Sequence, residues 1–330
     1  MSWIRLLRFI FLSVFWGFRQ VNAQTPKLPA VAVILDTDMD SDVDDVGALA
    51  MLHAYEKQRM ARILGIIVTS DDQYSAPCTD AINRWFGHND IPIGVSQRDS
   101  LRSFSKYTRQ ISERFASGFN TNADGEDGTA VYRKLLAREP DSSVVIITIG
   151  HLTSLARLLT SGPDSISPLS GSALVKTKVK HWSCMGGQFP EGKEANFYRP
   201  DPASTIFCLS NWKLPVTFAG WEIGSQVVTG GQTFKSNSST DSPIYQAYQL
   251  YNDFKGRASW DQLAILKAIE GVQPYFKANH DGTCQVAADG SNRWVSPSNG
   301  LHAYLSLHAP ADKIRERIDS LMSGSANGAK

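Results

Sequence analysis

Residues 31–52 read VAVILDTDMDSDVDDVGALAML, with six aspartates between an apolar run and a periodic segment. The run 31–35 has the length and the β-branched content of a buried strand. Beyond the aspartates, apolar residues recur at helical spacing, so Asp44 and Asp45 fall in the first turn of a helix, where backbone N–H groups favour negative charge. The carboxylates therefore stand between the end of a strand and the start of a helix.

This acidic loop predicts a cation site. Closely spaced carboxylates repel one another unless a cation lies among them, and a cluster of oxygen ligands suits Ca²⁺ or Mg²⁺ better than zinc. An EF-hand is excluded, because its loop needs glycine at the sixth position and glutamate at the twelfth. Counting from Asp36, those positions hold Ser41 and Gly47.

Composition narrows the class of partner. The 330 residues include 33 Lys and Arg against 32 Asp and Glu, and the charges are interspersed. This balance does not predict the basic surface that binds nucleic acid or an anionic membrane, and it favours a small neutral ligand. We find neither an internal repeat nor a linker, so residues 24–330 are expected to form one domain.

The N-terminal segment predicts export. Arg5 and Arg8 precede the apolar run 9–16, and residues 21–23 form a small-residue cleavage pattern. Residues 1–23 therefore have the organisation of a secretory signal peptide, and their apolar run is short for a membrane span. We expect a secreted or periplasmic protein without stable membrane insertion after cleavage, although an uncleaved anchor is also compatible with the segment.

Four scattered cysteines, Cys78, Cys184, Cys208 and Cys284, lack the C-x-x-C spacing of a zinc site or redox motif. An exported protein could form one or two disulfides from them, which the sequence does not pair. Four buried thiols are an equally good interpretation.

The pattern of strand, loop and helix recurs along the chain. Further buried strands are predicted at 62–69, 91–95, 144–149, 179–185 and 214–219, with helices between them. This alternation predicts an α/β fold with an open, mostly parallel sheet flanked by helices. Residues 284–294 and 303–307 predict a small C-terminal strand pair around a turn at Asp289-Gly290, and the polar stretch 97–122 predicts a helical flap.

The acidic loop resembles the N-terminal signature of the nucleoside hydrolase family (nucleoside N-ribohydrolases), which has DxD after a strand and DD at the start of a helix. Here these are Asp36-Thr37-Asp38 and Asp44-Asp45. Three later segments resemble family motifs in the right order: GHLTSLA at 150–156, MGG with E-x-N and D-P within 185–202, and SWDQLA at 259–264. The resemblance covers nearly all of residues 24–330 and implies the same Rossmann-like fold.

The resemblance implies hydrolysis of the N-glycosidic bond of a ribonucleoside to ribose and free base, with calcium as cofactor. The implied calcium ligands are Asp38, Asp45, Asp261 and the main-chain carbonyl of Ile149. Asp38 would also be the base that takes a proton from water. Asp36 is expected to support these ligands from behind.

The implied substrate is a small-molecule nucleoside. The residues expected to bind its ribose are Asp44, Asp72, Met185, Glu194 and Asn196, although helix capping explains Asp72 equally well. Trp260 stands where purine-specific relatives have tryptophan and pyrimidine-tolerant ones have histidine, so it favours purines.

Several positions depart from the family pattern. The acidic loop is two residues longer, which leaves Asp40 and Asp42 without counterparts, and Asp124 replaces a family histidine. His151 could donate a proton to the leaving base, but a histidine at a helix start more often caps the helix or lies at the surface. Two alternatives stay open: a hydrolase of another ribosyl compound, and a secreted calcium-dependent nucleoside- or ribose-binding protein without catalysis. A homo-oligomer is also open.

Overall fold

A central β-sheet organises the computed structural model, which describes residues 29–96 and 105–324. The predicted signal segment and the first part of the predicted flap lie outside these residues. The strands are, in chain order, β1 (Val31–Thr37), β2 (Ala61–Val68), β3 (Ile93–Val95), β4 (Glu126–Asp127), β5 (Val144–Thr148), β6 (Val179–Met185), β7 (Glu191–Gly192), β8 (Val216–Ala219), β9 (Val228–Thr229), β10 (Arg257–Ala258), β11 (Phe276–Asn279), β12 (Thr283–Val286), β13 (Asn292–Val295) and β14 (His302–Leu307).

Within the described residues, nine strands form the main sheet in the order β11-β14-β8-β6-β5-β1-β2-β3-β4. All neighbours are parallel except the edge pair of β11 and β14. The chain leaves β1 towards β2, β3 and β4, and it then returns to β5 on the other side of β1. The carboxyl ends of β1 and β5 therefore flank a topological switch point, where open α/β sheets bind their ligands.

Helices cover both faces of the sheet. They are α1 (Asp44–Lys57), α2 (Ser75–Trp85), α3 (Thr108–Arg114), α4 (Gly128–Arg138), α5 (Thr153–Thr160), α6 (Gly171–Lys178), α7 (Ala195–Tyr198), α8 (Pro202–Asn211), α9 (Trp221–Gly224), α10 (Gln232–Asn237), α11 (Pro243–Asn252), α12 (Trp260–Glu270) and α13 (Ala311–Met322). Alternate residues of β1 enter two apolar cores: Val33 and Leu35 pack with α1, α12 and α13, whereas Ala32 and Ile34 pack with α4, α5 and α6. This alternation follows from the period of two along a strand.

The predicted α/β class with a mostly parallel sheet is confirmed. The antiparallel pair of β12 and β13 turns at Asp289-Gly290, as predicted, and β7 adds a third short strand to it. The expectation that residues 303–307 join this pair is wrong, because β14 lies in the main sheet, parallel to β8.

Two further findings concern the cysteines and the helices. All four cysteines are buried free thiols, so the disulfide alternative does not hold in this structure. Among residues 29–96 and 105–324, none of the helices combines the length and the apolar character that crossing a bilayer requires.

A lysine on α12 forms its hydrogen bond to the sheet with a histidine and not with a carboxylate. Lys267 Nζ donates to His181 Nε2 of β6. Burial lowers the pKa of Lys267 to about 7, and burial together with Lys267 lowers the pKa of His181 to about 3. Folding therefore imposes a desolvation cost whenever Lys267 is protonated.

We expect Lys267→Met to remove a specific pH dependence of stability. An unfolded chain keeps lysine protonated up to about pH 10.4, whereas the folded chain releases this proton near pH 7. Wild-type stability should therefore rise between pH 7 and 10 relative to the variant, and the variant should be more stable at pH 6 by about 1–4 kcal/mol. Urea unfolding at pH 6, 7.5 and 9 measures this difference. Exposed Lys277→Met is the control, and equal slopes in wild type and Lys267→Met would contradict the prediction.

Candidate active site

The loops at the switch point enclose a cavity of about 320 Å³, which is large enough for a small organic ligand. Its walls come from the acidic loop, from the segment after β5, from the loop between β6 and α7, and from α9, β10 and the start of α12. The lining residues are Asp38, Ser41, Asp42, Asp44, Asp45, Ile149, His151, Met185, Lys193, Glu194, Ala195, Asn196, Tyr198, Arg199, Trp221, Arg257, Trp260 and Asp261.

Three buried carboxylates meet at the floor of this cavity. Asp44, Asp45 and Asp261 each offer one oxygen, and these oxygens lie within 4.8 Å of one another. Asp44 and Asp45 begin α1, and Asp261 lies in the first turn of α12. Two helix N-termini thus point at one place, where their backbone dipoles favour negative charge.

The loop before α1 fixes Asp45 and brings Asp38 beside it. Asp45 Oδ1 accepts a hydrogen bond from Thr37 Oγ1 and another, of 3.1 Å, from Met39 N. Met39 has a left-handed backbone with φ of 42°, which turns the chain back towards α1. Asp38 lies inside this turn and lines the cavity.

The carboxylates of this cluster repel one another strongly. Burial is the main reason why the pKa of each carboxylate in the cluster is raised, and the neighbouring aspartates raise each pKa further. The four residues concerned are Asp38, Asp44, Asp45 and Asp261. A divalent cation would offset both effects. Because the donors are oxygens alone, the cluster fits a hard cation such as Ca²⁺ or Mg²⁺.

Two aspartates of the loop are used elsewhere. Asp36 accepts hydrogen bonds from Thr69 Oγ1 at 3.0 Å and from Tyr132 Oη at 2.7 Å, so it ties β1 to the end of β2 and to α4. Asp40 accepts a hydrogen bond of 3.1 Å from Ser70 Oγ. Neither lines the cavity. Asp36 therefore lies behind the cluster, at the end of β1.

Asp42 faces a basic and aromatic wall. Its carboxylate accepts from Arg257 Nη2 at 2.6 Å and from Tyr251 Oη at 3.0 Å. The Arg257 guanidinium lies 4.6 Å from the centre of the Trp260 ring. Arg257 also lowers the pKa of Asp44, although repulsion and burial outweigh it there.

The opposite wall carries the E-x-N segment. Asn196 Nδ2 donates to the carbonyl of Ile149 at 3.0 Å and contacts Met185 Sδ at 3.1 Å. Glu194 accepts from Asn196 N at 2.8 Å and from Gly187 N at 3.0 Å. Burial raises the pKa of Glu194 to about 7, although these backbone donors oppose the shift. The structure thus brings four of the predicted residues together on one wall.

Two tryptophans line the mouth of the cavity. Trp260 Nε1 donates to the carbonyl of Trp221 at 3.0 Å, which fixes the two residues relative to each other. The side chain of Trp221 is 44% exposed, so a large apolar surface faces the opening. No family motif of the sequence marks Trp221.

Asp72 does not line the cavity. Its carboxylate accepts from Tyr74 N at 3.0 Å and from Thr108 Oγ1 at 2.6 Å, and so connects the loop after β2 to α3. His151, by contrast, does line the cavity, and its Nδ1 is 2.8 Å from Thr153 Oγ1.

Several lining residues were missed at the sequence level, among them Arg257 and Trp221; three more are Lys193, Tyr198 and Arg199. The last three flank Glu194 and Asn196 in the chain, and that adjacency was the only signal that could have marked them.

Comparison with known proteins gives a family match over most of the chain. The family model described as inosine-uridine preferring nucleoside hydrolase matches residues 33–300. This span contains the acidic loop, the E-x-N segment and Asp261. No curated protein sequence matches the chain.

Several solved structures resemble this fold. A plant nucleoside hydrolase aligns with a TM-score of 0.62 and 19% identity over 91% of this chain and 100% of its own. An inosine-uridine preferring nucleoside hydrolase from Bacillus anthracis aligns with a TM-score of 0.66 and 17% identity, over 89% of this chain and 99% of its own. The type III effector protein XopQ, complexed with adenosine diphosphate ribose, aligns with a TM-score of 0.66 and 14% identity, over 91% of this chain and 95% of its own. At such identities, these likenesses show a shared fold.

Gly150 provides a test of the carboxylate cluster. A Cβ at this position would lie 2.7 Å from Asp38 N and 3.1 Å from Asp38 Cβ. Gly150→Ala should therefore displace Asp38 and its neighbours, and we expect calcium affinity, measured by isothermal titration calorimetry, to fall about 10–100-fold.

Gly162→Ala is the matched control, because its Cβ would have no neighbour within 4 Å. Its calcium affinity should equal that of wild type. Equal affinities in all three proteins would show that the position of Asp38 does not matter for cation binding.

Proposed function

Because the chain belongs to the inosine-uridine preferring nucleoside hydrolase family, it is a hydrolase that acts on N-glycosyl compounds, and we propose that it cleaves purine ribonucleosides with calcium. The observation that carries this proposal is the convergence of buried carboxylates on the floor of a cavity of about 320 Å³ with an aromatic mouth. The products would be ribose and the free base, formed with one molecule of water.

Asp45 and Asp261 would hold the calcium ion. They belong both to the compact trio of carboxylates and to the ligand set that the family resemblance implies. Asp38 and the Ile149 carbonyl, which line the same cavity, would complete the set of oxygens. When bound, calcium supplies charge that fixes the ribose diol and polarises the attacking water.

Asp38 would act as the general base. It lies beside Asp45 at the cavity floor, so it can accept a proton from water that attacks the anomeric carbon. The bond from that carbon to the base nitrogen breaks, and the base leaves with the bonding electrons and takes up a proton. Asp44 would accept a hydrogen bond from a ribose hydroxyl, and the anionic floor would stabilise positive charge on the ring.

We expect Asp38→Asn to abolish most turnover. Loss of a general base costs about 10²–10⁴-fold in kcat, whereas asparagine keeps an oxygen donor, so calcium affinity should fall much less than kcat. The assay is ribose release from inosine, guanosine, adenosine, uridine and cytidine with saturating calcium. Exposed Asp241→Asn is the matched control and should retain wild-type rates.

Near-wild-type turnover in Asp38→Asn with calcium bound would remove Asp38 from the role of base. Binding of nucleosides without release of ribose, in the wild-type protein, would instead favour a binding protein.

Trp260 and Trp221 are expected to stack on the purine. Stacking of a base on an aromatic ring contributes about 1–3 kcal/mol, so replacing the stacking ring with alanine should lower kcat/KM for inosine about 5–150-fold. The loss should be smaller for uridine, which offers a smaller ring. One ring face of Trp260 is turned to Arg257, and Trp221 is the more exposed ring.

Comparing Trp260→Ala with Trp221→Ala identifies the ring that stacks. Trp85→Ala, an exposed tryptophan outside the cavity, is the control. Equal losses for inosine and uridine in both cavity variants would contradict a purine preference based on stacking.

A second candidate substrate is a ribosyl compound that carries phosphate. Lys193, Arg199 and Arg257 line the cavity as well as the carboxylates, and XopQ, with a similar fold, was complexed with adenosine diphosphate ribose. Ribosyl phosphates and adenosine diphosphate ribose therefore belong in the assay panel. Turnover of these compounds that falls in Arg199→Gln, with nucleoside turnover unchanged, would favour this candidate.

A further inference from the structure

A second cluster of metal-ligating side chains lies at the other end of α1 from the carboxylates. His53 and Glu56 are three residues apart on α1, which places them on one face of the helix. His88 follows the C-terminus of α2. One donor atom from each of these residues lies within 4.8 Å of the other two.

His53 has a buried ring nitrogen that is used by no hydrogen bond within the described part of the chain. The residue is 3% exposed, and its Nε2 is 2.9 Å from Asn83 Oδ1, to which it donates. That hydrogen bond leaves the proton on Nε2 and the lone pair on Nδ1. Nδ1 is buried and has no hydrogen-bond partner among the described residues. A histidine that ligates a metal almost always donates its other ring N–H to an acceptor such as a carboxylate or carbonyl oxygen, and the Asn83 side-chain oxygen takes that position here.

The other two ligands come from the edge of the cluster. Glu56 Oε1 accepts from Ile63 N at 2.9 Å, which holds the carboxylate in place, and Oε2 lies 3.1 Å from His88 Nε2. Ligand atoms of a tetrahedral zinc ion are roughly 3.3 Å apart, given bonds of about 2.0–2.1 Å. The separation of these two atoms therefore fits a shared ion.

The chain turns sharply to bring His88 to this position. Gly87 has φ of 89°, and His88 N donates to the carbonyl of Asn83 at 3.0 Å. The same residue, Asn83, thus positions His88 through its backbone and His53 through its side chain. The side chains of His88 and Glu56 are 36% and 20% exposed, so an ion can enter from solvent and water can complete its shell.

We propose that His53, Glu56 and His88 form a binding site for a divalent transition ion of the zinc class. Two imidazole nitrogens and one carboxylate oxygen, with an open fourth position, form a donor set that zinc prefers and calcium does not. The site is separate from the carboxylate cluster, since His53 lies eight residues along α1 from Asp45 and hence about 12 Å away along the helix. A bound ion would join the end of α1 to the end of α2.

Zinc alone is the probe for this site. The full chain is stripped of metal with a chelator, given saturating calcium to fill the carboxylate cluster, and titrated with zinc chloride by calorimetry. We expect one equivalent to bind, and we expect cobalt substituted for zinc to give visible absorption bands typical of four or five ligands. His88→Gln and Glu56→Gln should each weaken zinc binding at least tenfold.

Two controls separate this site from other zinc binding. His308→Gln removes an exposed histidine elsewhere and should bind zinc as wild type does, and Asp261→Asn should also keep the zinc equivalent. Zinc should raise the melting temperature of wild type and His308→Gln but not of His88→Gln. Ribose release with calcium should be the same in His88→Gln as in wild type.

The proposal is overturned if wild type binds no zinc under these conditions. It is equally overturned if His88→Gln and Glu56→Gln bind zinc as wild type does, because the zinc then lies elsewhere on the surface. Neither result depends on which nucleoside the protein cleaves.

Discussion

The burial of mutually repelling carboxylates where α1 and α12 begin is the constraint around which this structure is arranged. Each carboxylate has a pKa raised first by burial and then by its neighbours, so the cluster opposes folding until a cation joins it. Several features reduce that cost. Two helix N-termini face the carboxylates, Thr37 and Met39 donate to Asp45, and Arg257 neutralises Asp42 at the rim.

The sheet topology explains why the carboxylates meet where they do. The chain passes from β1 to β2 on one side of it and later returns to β5 on the other side. The loops that follow β1 and β5 therefore diverge and leave a crevice between them. Hydrogen bonding between Ile149 N and the carbonyl of Asp36 holds the two strand ends together beneath it. Asp261 arrives from a distant part of the sequence, because α12 packs on α1. The floor therefore depends on the packing of these two helices as much as on the acidic loop.

Much of this arrangement could be predicted from the sequence, since continuous apolar runs mark β1 and β5, apolar residues at helical spacing mark α1, and the acidic residues follow a strand directly. The position of β14 could not be predicted. Its alternating pattern suits either a hairpin or a sheet edge, and long-range pairing with β8 decides between them. The orientation of Asp72 was hidden for a similar reason: its partner Thr108 lies in another segment of the chain. Trp221 reaches the cavity because α9 packs on α12, which leaves no local pattern. Lys193 and Arg199 are marked only by their adjacency to Glu194 and Asn196.

The sites at the two ends of α1 offer different ligands, and this difference can make each site selective for a different metal ion. The N-terminal end offers oxygens only, within a cluster of high negative charge, and such a site favours a hard ion with many oxygen ligands. The C-terminal end offers two imidazoles and one carboxylate, a softer and less charged set that suits zinc. Because the helix is rigid between them, an ion at one end would restrain the position of the other end without any shared ligand. If the binding of one ion leaves the affinity for the other unchanged, the difference in ligand chemistry is enough to explain the selectivity of each site. If the binding of one ion changes the affinity for the other, the packing of α1 against α2 and α12 would carry that coupling.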